Sequence, residues 1–295
     1  MKGHLTIPSP VSEISTNWIS EHNSNILLKR DDLIHPIISG NKWRKLSGIL
    51  AKNRSSDYDS LITFGGAYSN HLLAVAAVCS ILKIRCKAFV RGEAPKTLNA
   101  VLKMCKMYGM ELAFISRENY QKSNRKSGVF DRTLFIPEGG ACSDGTNGCE
   151  KILSEVDLSN IDQIFVPCGT GTTIVGMANY LNAKNYKIQL NGIQVLKGEN
   201  YIANEIKNLY GISGISVYDQ FHFGGYAKTN DSLIAFIQDF MKQTGIILDP
   251  VYNGKMMFAI KKLLENGEIK QGQNILAIHT GGITGWFGKF DKIMV

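Results

Sequence analysis

The sequence predicts an α/β protein of two domains, each an open, twisted, mainly parallel sheet flanked by helices. Three observations carry this. Short β-rich apolar runs alternate with helical patterns along the chain, the mark of strand–helix–strand units. At 295 residues the chain is longer than one hydrophobic core usually supports. Several Gly-rich segments fall where strands end, the edge at which such sheets place their ligands.

The candidate strands, in order, are Ile26–Lys29, Leu61–Phe64, Lys87–Val90, Glu111–Ile115, Leu134–Pro137, Gln163–Pro167, Gln189–Val195 and Ile275–His279. Each is a short β-branched or aromatic run bounded by polar or turn-forming residues. Helical periodicity marks Leu72–Leu82, Leu98–Tyr108, Thr173–Leu181, Ser232–Thr244 and Met256–Leu264. The longest polar stretch, Ser116–Ser127, reads as a surface connection. No internal repeat or low-complexity segment interrupts the pattern.

Composition narrows the function classes. A hydrophobic share of 44% with 20% charged residues describes an ordinary soluble protein. The net charge of +8 favours anionic ligands. The basic residues are scattered, without the dense run or patterned arm of a nucleic-acid reader, so no nucleic-acid partner is expected. The six cysteines form no Cys-x-x-Cys pair and no metal-ligand spacing with the six histidines. Reduced thiols in a cytoplasmic protein are expected, with no metal, no secretory signal and no membrane span.

The chemistry concentrates in a few segments. Gly40-Asn41-Lys42-Trp43-Arg44-Lys45 follows an apolar run and the charged turn Lys29-Arg30-Asp31-Asp32. A buried lysine there can act as a nucleophilic amine, although one of 33 basic residues taken alone reads as a solvated surface group. Gly65-Gly66-Ala67-Tyr68-Ser69-Asn70-His71 ends a strand and opens a helix. Ser69 or Asn70 can simply cap that helix, or its N-terminus can face an anion. Gly169-Thr170-Gly171-Thr172-Thr173 joins a strand to a helix, with backbone N–H groups and hydroxyls able to enclose a phosphate. It lacks the Lys of a P-loop and the third Gly of a dinucleotide fingerprint. Pro137-Glu138-Gly139-Gly140, Asp249–Lys255 and His279-Thr280-Gly281-Gly282 complete the set. Tyr252 can be a packed ring, Thr280 a cap and His279 a structural group.

Taken in order, these segments resemble the pyridoxal-phosphate enzymes of the tryptophan-synthase-β type (fold type II). Within that group they are most similar to the branch of D-cysteine desulfhydrase and 1-aminocyclopropane-1-carboxylate deaminase. The motifs carrying the resemblance are Lys29–Asp32, Gly40–Leu46, Gly65–His71, Pro137–Gly140, Gly169–Thr173, Phe223-Gly224-Gly225-Tyr226, Asp249–Lys255 and His279–Gly282. The resemblance implies a large cofactor-binding domain of residues 1–50 plus 138–295, a small domain of 51–137, and a homodimer.

It also implies roles. Lys42 would hold pyridoxal 5'-phosphate as a Schiff base and move the substrate proton. Asn70 would bond the cofactor's phenolic oxygen, with Ser69 and His71 near the substrate carboxylate and Ser69 able to assist proton transfer. Gly169, Thr170, Gly171, Thr172 and Thr173 would hold the phosphate, with Lys45 adding positive charge. Tyr252 would stand beside the ring and act on the leaving group, and Thr280 would approach the pyridine nitrogen. The cyclopropane-opening members carry Glu and Leu where this chain has Asn253 and Thr280. A hydroxyl deepens the electron sink less than a carboxylate does. Thr280 follows the desulfhydrase pattern, whereas Asn253 replaces a small Ser or Thr and is expected to touch the substrate. The expected activity is a lyase acting on a small β-substituted amino acid, D-cysteine first. The alternatives are 1-aminocyclopropane-1-carboxylate deamination or a non-catalytic cofactor- or amino-acid-binding protein.

Overall fold

A computed structural model describes residues 3–38 and 40–289. Two sheets organise the chain. The first contains β1 (Val11–Ile14), β2 (Asn25–Lys29), β8 (Gln163–Cys168), β9 (Gln189–Gln194), β10 (Ser216–Tyr218) and β11 (Asn274–Ile278). The second contains β3 (Ser60–Gly65), β4 (Arg85–Arg91), β5 (Glu111–Ile115), β6 (Gly128–Phe130) and β7 (Thr133–Ile136). The helices are α1 (Asn17–Glu21), α2 (Gly40–Lys52), α3 (Asn70–Leu82), α4 (Ala100–Met107), α5 (Arg117–Ser123), α6 (Ser143–Ser154), α7 (Thr172–Ala183), α8 (Tyr201–Tyr210), α9 (Asp231–Thr244) and α10 (Asn253–Glu265).

The larger sheet runs β1-β2-β11-β8-β9-β10, parallel apart from β1. The smaller runs β5-β4-β3-β7-β6, parallel apart from β6. Strand β8 is buried at every position, as a central parallel strand covered on both faces must be. Each expected strand is present within a residue or two. Three further strands, β1, β6 and β10, are short and lie at sheet edges. The Ser116–Ser127 stretch is not a plain connection: Ser116 accepts from the Asn119 N–H and caps α5, which buries only Tyr120.

Helix α2 lies between the two sheets. Its Leu46 and Ile49 join the apolar cluster of the smaller sheet, while its other face meets α6 at a glycine–glycine contact. A Cβ on Gly48 would lie 2.1 Å from the Asp144 carbonyl, and one on Gly148 would lie 2.0 Å from that of Arg44. Only glycines allow so close an approach of two helix backbones.

A buried ionic cluster fixes the same helix through the side chain of Arg44. Arg44 donates to both oxygens of Asp31 and to Glu155, and Lys29 donates to Glu155 and the Ser9 carbonyl. Lys29 and Asp31 are fully buried and Arg44 nearly so. This is what the Lys29–Asp32 segment does: it ties β2, α2 and the end of α6 together. Burial pushes the Glu155 carboxyl up, but its bonds to Arg44 and Lys29 outweigh that and hold it below the ordinary value.

Candidate active site

The carboxyl ends of β3, β7 and β8 and the starts of α2, α3 and α7 surround a cavity of about 690 Å³. Lys42, Lys45, Ser69, Asn70, His71, Gly169, Thr170, Gly171, Thr173 and Tyr252 all line it, although they come from segments far apart in the chain.

Lys42 sits in the first turn of α2, where Gly40 makes the entry. Gly40 has φ 61°, and a Cβ there would lie 1.7 Å from the Thr280 carbonyl oxygen. The same carbonyl accepts from the Asn41 N–H at 3.1 Å. The Lys42 amine donates to Asn41 Oδ1 at 2.7 Å, and Asn41 Nδ2 donates to Thr173 Oγ1 at 3.0 Å. Burial lowers the Lys42 amine to about 7, with repulsion from Lys45 adding to it, so much of it is the free base near neutrality. It also lies 5.8 Å from the centre of the Tyr252 ring.

The turn from β8 into α7 forms one end of the cavity. Gly171 adopts φ 74° at the helix N-cap, and no side chain caps the first turn of α7, leaving its N–H groups for a ligand. Lys45 spans to this turn, donating to the Gly139 carbonyl at 2.9 Å and to Thr170 Oγ1 at 3.2 Å. The Thr172 hydroxyl instead pairs with Thr170 and with Tyr210, and Thr172 does not line the cavity. Gly169 faces Tyr252, whose ring would lie 3.1 Å from a Cβ at that position. Glycine therefore lets the tyrosine stand directly over the turn.

The opposite wall begins at Ser69. Its Oγ accepts from the N–H groups of His71 and Leu72 and caps α3. Both lone pairs are thereby used, so the hydroxyl proton is free to be donated into the cavity. Asn70 Oδ1 lies 2.8 Å from Thr284 Oγ1, and that hydroxyl is equally close to the Tyr68 carbonyl. His71 is neutral: burial lowers it well below its usual range, helped by Lys42 and Lys45. Thr63 donates its hydroxyl proton to the Ile136 carbonyl, so His71 Nε2 must be the donor to Thr63.

Tyr252 belongs to a turn set by Asp249, whose carboxylate accepts from the N–H groups of Val251, Tyr252 and Asn253. Burial raises the Tyr252 hydroxyl well above 10, with neighbouring Tyr226 adding to the shift. The two rings meet edge to face at 6.2 Å. The loop that leads into Tyr226 is held by Lys255, whose buried amine donates to the carbonyls of His222 and Gly225.

Asn253 and Thr280 differ from the rest of the set, for neither lines the cavity. Asn253 is fully buried in the first turn of α10 and bonds Asp249, Thr280 and Gly281. Thr280 caps no helix. His279 donates from Nε2 to the Ile247 carbonyl and accepts from the Gly281 N–H at Nδ1. Nδ1 therefore carries no proton for Asp32 at 3.7 Å, and that proximity is not an ion pair.

Comparison with known proteins agrees with this geometry. The profile of the pyridoxal-phosphate dependent enzymes matches residues 7–281. A proposed 1-aminocyclopropane-1-carboxylate deaminase of Thermotoga maritima is 30% identical, over 97% of this chain and 97% of its own length. The mitochondrial bifunctional D-cysteine desulfhydrase/1-aminocyclopropane-1-carboxylate deaminase of Arabidopsis thaliana is 28% identical, over 97% of this chain and 79% of its own. The chain belongs to the pyridoxal-phosphate-dependent enzymes, in the 1-aminocyclopropane-1-carboxylate deaminase/D-cysteine desulfhydrase family. The crystal structure of a 1-aminocyclopropane-1-carboxylate deaminase homologue superposes with a TM-score of 0.81 at 30% identity, covering 99% of this chain and 94% of the other. Threonine deaminase isoform 2 of Solanum lycopersicum shares the fold at 18% identity, with a TM-score of 0.71 over 98% of this chain and 83% of its own.

The residues present fit pyridoxal phosphate. The cavity has a free-base lysine on one side and, at its end, a helix N-terminus without a side-chain cap, backed by the buried Lys45. Tyr226, Arg91, Glu138 and Thr284, to which the sequence assigned no role, also line the cavity. Tyr226 carried a signal in the Gly-Gly-Tyr motif, whereas Thr284 carried none, because its place depends on how the last turn folds back onto Asn70. Arg125 and Glu205 pair at 3.0 Å between the two sheets' halves, beside the same cavity.

Proposed function

We propose that this chain is a lyase that removes the α-proton of a small β-substituted amino acid and expels the β-group. D-Cysteine is the favoured substrate, which with water would give pyruvate, sulfide and ammonia. The observation that carries the reading is the meeting of the Lys42 amine, the Ser69 hydroxyl and the protonated Tyr252 in one cavity with the uncapped turn into α7. Pyridoxal phosphate, when bound, supplies the electron sink for the substrate's α-carbanion.

Lys42 would hold the cofactor through Nζ and take the proton from the substrate's α-carbon. Asn70 would face the cofactor's phenolic oxygen. Lys45, the N–H groups of Gly169–Thr173 and the hydroxyls of Thr170 and Thr173 would hold the phosphate. Ser69 would donate its free proton to the substrate carboxylate, in the company of the neutral His71. Tyr252, protonated across the working pH range, would donate to the departing sulfur. The two sheets support the division into a small domain of 51–137 and a large domain formed by the rest. A cytoplasmic homodimer remains our expectation for its setting.

The relatives' names favour a second reading, deamination of 1-aminocyclopropane-1-carboxylate to 2-oxobutyrate and ammonia. Incubating the holoenzyme with D- and L-cysteine, D-serine and 1-aminocyclopropane-1-carboxylate, while measuring sulfide, pyruvate and 2-oxobutyrate, separates the two. Formation of 2-oxobutyrate with no sulfide would overturn the first.

A further inference from the structure

The orientation of the Asn253 amide is fixed by its partners. Nδ2 lies 2.7 Å from Asp249 Oδ1 and 3.2 Å from the Gly281 carbonyl, both acceptors. Oδ1 accepts from the Thr280 N–H at 2.9 Å and lies 3.3 Å from the Thr280 hydroxyl. These four bonds exhaust what a primary amide can make, and the side chain is fully buried. Nothing of Asn253 is left for a substrate.

Its partners lead outward in two directions. Asp249 accepts the Tyr252 N–H at 2.8 Å and so sets the backbone from which the tyrosine hangs. The Thr280 carbonyl accepts the Asn41 N–H at 3.1 Å, against a glycine whose missing side chain permits the approach, and Lys42 is the next residue. A continuous hydrogen-bonded path thus runs from Tyr252 through Asp249, Asn253 and Thr280 to the turn bearing Lys42. A Ser or Thr at 253 carries one donor proton and cannot donate to both Asp249 and the Gly281 carbonyl as the amide does.

We propose that Asn253 is a positioning residue that fixes Tyr252 relative to the Lys42 amine, and that it does not contact the substrate. This rests on the lyase reading for its kinetic consequence. Misplacement of a reacting group by about 1 Å can cost on the order of 100-fold in rate, so the bracket acts on turnover and not on affinity.

The test compares holoenzyme carrying Asn253→Ala, Asn253→Ser and Tyr252→Phe, and the two Asn253 variants each combined with Tyr252→Phe, with D-cysteine as substrate. Asn253→Ala is expected to lower kcat by roughly 10–100-fold at unchanged KM. Most of that loss should vanish in the Tyr252→Phe background, because the two residues then act through one hydroxyl. Asn253→Ser, which restores only part of the bracket, should fall between and serves if the alanine variant does not fold. The pH midpoint of the bound cofactor's absorbance, which reports the surroundings of Lys42 without turnover, should move in both Asn253 variants. A rise in KM with kcat intact, additive losses in the double variants, or an unmoved midpoint would each overturn the proposal. If the unaltered enzyme leaves D-cysteine unchanged, the lyase reading fails, and the absorbance midpoint alone decides for or against the bracket.

Discussion

Lys42 and Asn41 are neighbours in sequence whose side chains meet at 2.7 Å, amine to amide oxygen, while the same amide's nitrogen reaches Thr173 in the first turn of α7. One side chain therefore sets the reactive amine against the far end of the cavity. Among the described residues no carboxylate pairs with Lys42, and burial together with repulsion from Lys45 outweighs the opposing fields of Cys149 and Asp249. In cofactor-free protein, modification of this amine by a carbonyl reagent should rise through pH 7 and level off above it, since the free base predominates there. A rise only near the ordinary 10.5 would contradict the geometry. Lys42→Ala should abolish the covalent cofactor band and lower turnover by orders of magnitude, because nucleophile and base are lost together.

Ser69 caps α3 and, on the proposed mechanism, donates a proton to the substrate, and a substitution can separate the two. Ser69→Ala removes the cap of α3 and should cost about 1 kcal/mol of stability, read by urea unfolding. Ser69→Asn retains a capping oxygen and should unfold near the unaltered protein, yet lose most of its turnover. Equal activity of Ser69→Asn and the parent would show that only the cap matters.

Tyr252 is held protonated by burial and by Tyr226. The kcat profile should therefore show no alkaline limb from this hydroxyl below pH 10. Tyr252→Phe should lower kcat by about 100-fold without changing the profile's shape, as expected when a proton donor is removed.

The ionic cluster around α2 makes an acid-stability prediction. Glu155 is held below its ordinary value of 4.5, so its contribution is complete above that pH and is lost as pH falls through the lower folded value. Unfolding followed from pH 6 down to 3 should show stability declining below about 4.5. Arg44→Met leaves Asp31 and Glu155 without their main buried partner. It should cost about 3–5 kcal/mol, measured by denaturant titration.

Much of this was legible in the chain because the central strands are apolar at nearly every position and the turns after them are rich in glycine. Gln163–Pro167 needed no tertiary information to be read as a strand, and Gly169–Thr173 none to be read as a turn into a helix. The missed strands, such as Gly128–Phe130 and Ser216–Tyr218, lie at edges where half-exposed residues carry no alternation. Asn253 was the instructive case. A substitution within a motif suggests contact with whatever the motif serves, but whether an amide faces the cavity or the protein beneath it depends on Asp249 and Thr280, and their separation in sequence hides that. Thr284 was invisible for the same reason, being placed by Tyr68 and Asn70 more than two hundred residues earlier.

The contact between Gly48 and Gly148 has a consequence for how such an enzyme can change. Neither residue lines the cavity, and neither carries a group that could react. A single methyl at either would wedge α2 away from α6 and carry the Lys42 amine with it. Two residues without side chains, a hundred positions apart, are thus as intolerant of replacement as any that meets the substrate. New substrates are open to this scaffold through its loops, while the place of the amine is closed to variation.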